Sequence, residues 1–195
     1  MTLSDMLTLV RRDLKDETEP YRWSDAELER HILHAVKDFS GEVPYEQKAA
    51  VATTAGSKEI SLAALTGRIM VEAVEYPLNQ YPRSYPRYSL WEDTIYLSGD
   101  EIPDGSNAYI YYGKLHTLGS ASTIPARYED LLAVGACGYA AVEWAAYAIN
   151  RVNTGGNTTP REFLNWGNQK LAVFWGELKR LGRRNKVRIR QLYTA

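Results

Sequence analysis

The stretch Arg22-Trp23-Ser24-Asp25-Ala26-Glu27-Leu28 decides the reading of this chain, because it carries a full set of helix-start signals. Ser24 at the cap position accepts from the backbone N–H of Glu27, and Glu27 reaches back to the N–H of Ser24, a capping box. Trp23 before the cap and Leu28 after it form a hydrophobic staple. Beyond it, Leu28, Ile32, Ala35, Val36 and Phe39 recur at helical spacing, and Gly41 after Ser40 suits a left-handed helix end. Working backward, residues 16–20 form a polar break. Before that break Leu3, Met6, Leu7, Val10 and Leu14 trace a first helix over about residues 3–15.

Working forward, the pattern changes after Pro44. Residues 50–54 and 58–61 flank Ala55-Gly56-Ser57 as the arms of a hairpin. Residues 68–76, 87–91, 94–98 and 107–115 are further strands, with Glu92-Asp93 a weak turn because neither residue is glycine. Eight of the 14 tyrosines fall between Tyr76 and Tyr112, which suits a small sheet with a thin core of rings whose hydroxyls stay wet. Helix returns after Pro125. Residues 128–150 carry Ala133, Gly135, Ala136, Gly138, Ala140 and Ala141, small enough for close helix approach. Residues 153–157 form a loop, and Thr159-Pro160-Arg161-Glu162 starts a fourth helix with Phe163, Gly167, Leu171, Phe174, Leu178 and Leu181, stopping at Gly182. The fold class is therefore mainly α, about four helices in a bundle with an inserted small antiparallel β module, α+β overall. Residues 1–47 and 116–182 make the bundle, 48–115 the β module and 183–195 a basic C-terminal tail.

A net charge of −1 hides an asymmetry. Residues 1–47 hold 6 basic against 11 acidic side chains, residues 48–125 hold 6 against 8, and residues 126–195 hold 11 against 5. The chain is acidic at the front and basic at the back. A single cysteine, Cys137, excludes an internal disulfide and any CxxC metal knuckle. The first residues lack the apolar core of a signal peptide, and the apolar run 131–142 is too short to span a bilayer, so the reading is a protein made in a cytoplasm with no membrane partner.

No catalytic constellation stands out. His31 and His34 form an HxxH pair with Glu27 and Asp38 four residues to either side, but a metal site needs three or four convergent ligands. Cys137 sits among apolar helix residues, as a small buried hydrophobe does. The acidic pairs at 92–93, 100–101 and 129–130 lie in turns or at a helix start, and Gly155-Gly156 lacks phosphate-loop spacing. No cofactor is expected. The expectation is a non-enzyme. Two other readings stay open: a carbohydrate-binding module using Tyr81, Tyr85, Tyr88 and Trp91, and a metal-dependent enzyme built on His31 and His34.

The C-terminus is different. Lys179, Arg180, Arg183, Arg184, Lys186, Arg188 and Arg190 lie together without an acid. Three readings stand: a solvated tail, a phosphate-neutralising nucleic-acid contact, and a protein-docking strand with Val187 and Ile189 on one face and Lys186, Arg188 and Arg190 on the other.

With these residues in place, the sequence resembles the head–tail adaptor (connector, or head-completion) proteins of tailed bacteriophages. The resemblance is carried by the aromatic–Ser–Asp–x–Glu–Leu lead-in at residues 23–28, the second helix through Ala35 and Phe39, Ile124-Pro125 before a Tyr- and Ala-rich third helix, and the basic tail. It implies a structural virion protein at the head–tail interface. The expected form is a homo-oligomeric ring, usually twelvefold, that joins the portal protein to a downstream tail or stopper protein and lets DNA pass without specific binding. On that reading Arg183, Arg184, Lys186, Val187, Arg188, Ile189 and Arg190 dock on the portal. Trp166 and Trp175 lie at subunit interfaces, and Tyr81, Tyr85, Tyr88 and Trp91 face the tail or a neighbouring subunit. The acidic first 47 residues, repeated around a ring, would repel phosphate and keep DNA sliding.

Overall fold

The computed structural model describes residues 1–148 and 160–193. The expected loop at 153–157, the cap at Thr159 and the helix end at Asn150 lie outside the described residues. The chain divides into two compact units, one of Met1–Val43 with His116–Gly182, the other of Pro44–Leu115 with Arg183–Ala195.

In the first unit, α1 (Leu3–Leu14) is capped by Thr2, whose side chain and that of Asp5 form a capping box, and it ends on Lys15 at φ 57°. Helix α2 (Asp25–Glu42) starts on the Ser24–Glu27 capping box, with Ser24 N–H donating to Glu27 Oε2 at 2.7 Å. Trp23 and Leu28 are both buried, as a staple requires. The expected stop at Gly41 is not used: the helix runs through it to a Val43 cap at φ −131° and ψ 79°. A 3-10 turn (Ala126–Tyr128) leads into α3 (Glu129–Ala148), and α4 begins at Pro160. All four helices contribute to one apolar core, including Met6 and Val10, Ile32 and Phe39, Leu132 and Ala136, Phe174 and Leu178. By length and composition residues 126–148 would pass as a membrane span, yet this segment packs its small residues into that core.

Three glycines set the approach of α3 to α4. A Cβ on Gly135 would lie 2.9 Å from the Phe174 ring, one on Gly138 2.8 Å from the Leu171 side chain, and one on Gly167 3.1 Å from the Gly138 carbonyl oxygen. The break between α1 and α2 is also built rather than loose. Arg11 and Asp16 are buried together, with Arg11 Nη1 donating to Asp16 Oδ2 at 2.8 Å and Nη2 to Trp23 O at 3.0 Å and Asp25 Oδ1 at 2.6 Å. Asp16 in turn accepts from the backbone N–H groups of Arg22 (2.7 Å) and Trp23 (3.3 Å). A buried ion pair holds only when its remaining valences are met, and here they are.

In the second unit the β segment forms two three-stranded sheets, not one. Strands β1 (Tyr45–Ala52), β3 (Arg68–Glu75) and β6 (Asn107–Lys114) pair antiparallel in the order β1-β6-β3, and β2 (Glu59–Ser61), β4 (Tyr88–Trp91) and β5 (Thr94–Leu97) in the order β2-β5-β4. The expected hairpin between the first two strands does not form. β1 starts well before residue 50 and pairs along its whole length with β6, from Tyr45↔Lys114 to Ala52↔Asn107, while β2 pairs with β5. The Glu92-Asp93 turn does form, with Glu92 at φ 51° and its carbonyl accepting from Arg68 at 3.0 Å; Arg68 also binds Asp93. An arginine brace does there what glycine does elsewhere. The shared core is mostly aliphatic (Ile60, Leu62, Val74, Ile95, Leu97, Ile110), with Tyr76 and Tyr112 the rings inside it. The tyrosine-filled core expected from composition is corrected accordingly.

Candidate functional site

Helix α4 does not stop at Gly182. It runs Pro160–Gln191, so the segment expected to be an extended tail is helical and packs with the β unit. An added Cβ at Gly182 would meet only the end of the flexible Glu42 side chain, which can move aside. One interior glycine costs a helix only about 1 kcal/mol, which the flanking turns absorb.

The helical geometry rearranges the seven basic-segment residues. Val187 and Ile189 do not share a face: Val187 is 57% exposed, whereas Ile189 is half-buried. Arg183, Lys186, Val187 and Arg190, at spacings of three, four and seven, lie on one exposed stripe. Among the described residues none of Arg183, Arg184, Lys186 and Arg190 has an acid within ion-pair distance. Arg188 turns the other way. Its Nη2 binds Glu46 Oε1 on β1 and lies 3.5 Å from Glu72 Oε2 on β3, and the hydrogen bond to Glu46 favours its charged form. Ile189 and Leu192 complete one wall of a cleft of about 250 Å³ whose other wall includes Ala73, Tyr85 and Tyr111. The Tyr193 hydroxyl donates to the Glu72 carbonyl oxygen at 3.3 Å. Burial, and then the neighbouring Glu46, raise the Glu72 carboxyl above the usual carboxylate range; Arg188 opposes them.

The four aromatic residues of the β unit do not make one platform. Tyr81 and Trp91 are 99% and 72% exposed. Tyr88 is half-buried against the sheet core, its hydroxyl donating to Val71 O at 2.8 Å. Tyr85 lines the cleft and packs on Tyr111, whose hydroxyl donates to Glu75 Oε2 at 2.5 Å. Trp166 and Trp175 are nine positions apart, which at about 100° per residue puts them on opposite sides of α4. Trp166 is half-buried and lines a groove of about 260 Å³ with Val134, Lys170 and the 58%-exposed Val173. Trp175 is 38% exposed and packs on Phe174 at 5.8 Å.

The histidines are structural. His31 is buried with Nε2 2.9 Å from Glu143 Oε2, outside hydrogen-bond alignment, whereas His34 is exposed, stacks on Tyr139 at 4.1 Å and lies 3.6 Å from Asp38. Among the described residues no group of three or more His, Cys, Asp or Glu could hold a metal ion. His116, alone in the sequence, joins distant segments: its Nε2 meets Val43 O at 3.1 Å, its Nδ1 the Thr123 carbonyl and hydroxyl oxygens at 3.0 and 3.1 Å, and its backbone N–H donates to Ser40 Oγ at 2.9 Å. Burial pushes its pKa down, against the pull of the Thr123 and Val43 carbonyls, which favour the protonated ring. Nothing in the sequence around His116 signals those partners. The same holds for the Arg22 guanidinium, held 4.7 Å from the ring centres of Trp144 and Phe163.

The described residues thus form a four-helix unit and a β unit that present exposed basic and aromatic side chains. The chain belongs to the SU10 adaptor protein family, whose model matches residues 1–157, and the likeness to phage head–tail adaptors drawn from the lead-in to α2 is borne out. The match spans α1, α2, the strands and α3 and stops short of α4. No curated protein matches the chain. Among solved structures, a chain of the "Virion of native gene transfer agent (GTA) particle" is similar at 13% identity and a TM-score of 0.30, over 85% of this chain and 87% of that one.

Proposed function

We propose that this phage structural adaptor is a virion protein that forms a homo-oligomeric ring, twelvefold in its expected form, between the portal and the first tail or stopper component. The observation that carries the proposal is the exposed stripe Arg183-Lys186-Val187-Arg190 on a helix, joined to a family match that names an adaptor. The stripe combines three uncompensated cations with a central apolar side chain, which suits an acidic protein surface that also buries a methyl-bearing residue. Docking is thus by a helix face, in place of strand addition.

On this reading the Trp166–Val173 groove and Trp175, on opposite sides of α4, each meet a different neighbour surface, as the head-to-tail contacts of a ring demand. Tyr81 and Trp91 face the tail side. The exposed acids Asp5, Asp13, Glu17, Glu19 and Glu27 present a surface that repels phosphate and lets DNA slide. The protein works by binding alone, without cofactor or catalysis, after synthesis in the host cytoplasm.

Mass photometry of the chain mixed with its cognate portal protein tests the proposal. One heavier species of fixed stoichiometry supports it. Two unassociated components at micromolar concentrations would sink it.

A further inference from the structure

The portal-docking stripe and the Arg188 side of the same helix turns face different things, and this has a consequence for when docking occurs. Arg188 bridges Glu46 on β1 and Glu72 on β3, two acids that otherwise repel each other across the sheet. Ile189 and Leu192 lean on the cleft wall, and Tyr193 reaches Glu72 O. On the other side of these turns Arg183, Arg184, Lys186, Val187 and Arg190 are exposed, and Asn185 is half-buried. Among the described residues, one arginine, two apolar side chains and one hydroxyl of the segment meet the sheet. Arg188 and Glu46 are each half-exposed, in the regime where ion pairs hold weakly and respond to salt. By contrast Phe174, Leu178 and Leu181 anchor the preceding turns of α4 in the apolar core of the first unit.

We infer that residues 185–193 form a releasable latch, with Arg188 clasped between Glu46 and Glu72, that restrains the docking segment on the β unit until a partner surface with competing acids takes the arginine. This rests on the docking role proposed above and adds its regulation. The latch holds Arg188 back while leaving the stripe exposed for first encounter. Engagement by Arg183, Lys186 and Arg190 raises the local concentration of partner acids around Arg188, which then exchanges Glu46 and Glu72 for them. The vacated cleft holds two acids without their cation, so opening carries its own cost and the segment returns when the partner is absent.

Amide hydrogen exchange of the full chain tests the latch without any partner. Glu46→Gln/Glu72→Gln keeps shape and removes both charges. It is expected to speed exchange at residues 185–193 roughly tenfold while β1, β3 and β6 keep their protection. Arg188→Lys, which keeps charge but loses the planar fork, should fall between. Unchanged exchange at 185–193 overturns the latch, and so does an equal rise across the whole β unit, which would make the segment an integral part of it. A second arm measures association with the cognate portal by stopped flow. Faster association of the double variant supports the gating role, and an unchanged rate with an opened segment overturns it. Absence of portal binding by the wild type removes the docking reading instead, and the exchange result still decides the latch.

Discussion

Replacing Gly135 by alanine sets two known effects against each other, and the structure says which wins. Alanine gains about 1 kcal/mol over glycine in a helix interior. At Gly135 the new Cβ meets three Phe174 ring atoms at 2.9 to 3.0 Å. That ring is fully buried and flanked by Tyr139 and Trp175, at 6.4 Å and 5.8 Å between ring centres, so it has little room to retreat. Overpacking of this kind costs about 1–3 kcal/mol. Gly176 on α4 has nothing within 4 Å of an added Cβ and supplies the reference. Gly176→Ala should stabilise by roughly the full propensity gain, about 1 kcal/mol. Gly135→Ala should lie about 1–3 kcal/mol below it, because the propensity gain cancels between the two variants. Urea unfolding read at the tryptophans measures both, and the difference corresponds to a shift in Tm of roughly 2–12 °C for a chain of this size. Gly135→Ala combined with Phe174→Leu, which shortens the obstructing side chain, should recover part of the loss. Equal stabilisation by the two single variants would refute the close approach of α3 to α4 and with it the helical core described here.

The Arg11–Asp16 pair leaves one buried charge behind when either partner is removed, so Asp16→Ala should cost about 3–5 kcal/mol, and Arg11→Met/Asp16→Asn less than the sum of the singles. Denaturation of the three variants checks this. Ser24→Ala removes the acceptor for Glu27 N–H and should cost about 1 kcal/mol. His31 and His116 are pushed below their ordinary value of 6.5, chiefly by burial. The unfolded chain therefore takes up protons near pH 6.5 that the folded chain still refuses, so stability should be level above that pH and fall as pH drops below it. Urea midpoints at pH 7.5, 6.5 and 5.5 read the trend, and a midpoint rising on acidification would contradict it. Burial pushes the Cys137 thiol up to about 12. Alkylation at pH 8 should be negligible in the native protein and complete in denaturant.

Local signals in the sequence carried much of the fold, and non-local ones did not. The lead-in to α2 was legible because a capping box and a staple are satisfied within a few residues. Strand positions followed from composition, but pairing did not. β1 looks like one arm of a hairpin until its partner β6, some sixty positions on, is seen to match it residue for residue. Gly41 and Gly182 read as helix stops because glycine is the usual stop residue, yet both lie inside helices. The alternation of residues 186–190 suggested a strand because every second position was apolar. In a helix those positions point different ways, and only the length of α4 settles the matter. The basic segment was found by its charge. Arg188 as a clasp, His116 as a cross-tie and Arg22 between two rings depend on partners far along the chain and left no mark in the local sequence.

The central claim is that the exposed face of α4 seats this adaptor on the portal. It is tested most directly by titrating the portal with the wild type and with Arg183→Glu/Lys186→Glu/Arg190→Glu, the latter confirmed folded by its unchanged urea midpoint. The account predicts that the wild type binds and that the charge-reversed stripe loses at least a hundredfold in affinity, roughly 1 kcal/mol for each reversed charge at minimum. Equal binding by the two proteins would contradict it and move the docking surface off α4.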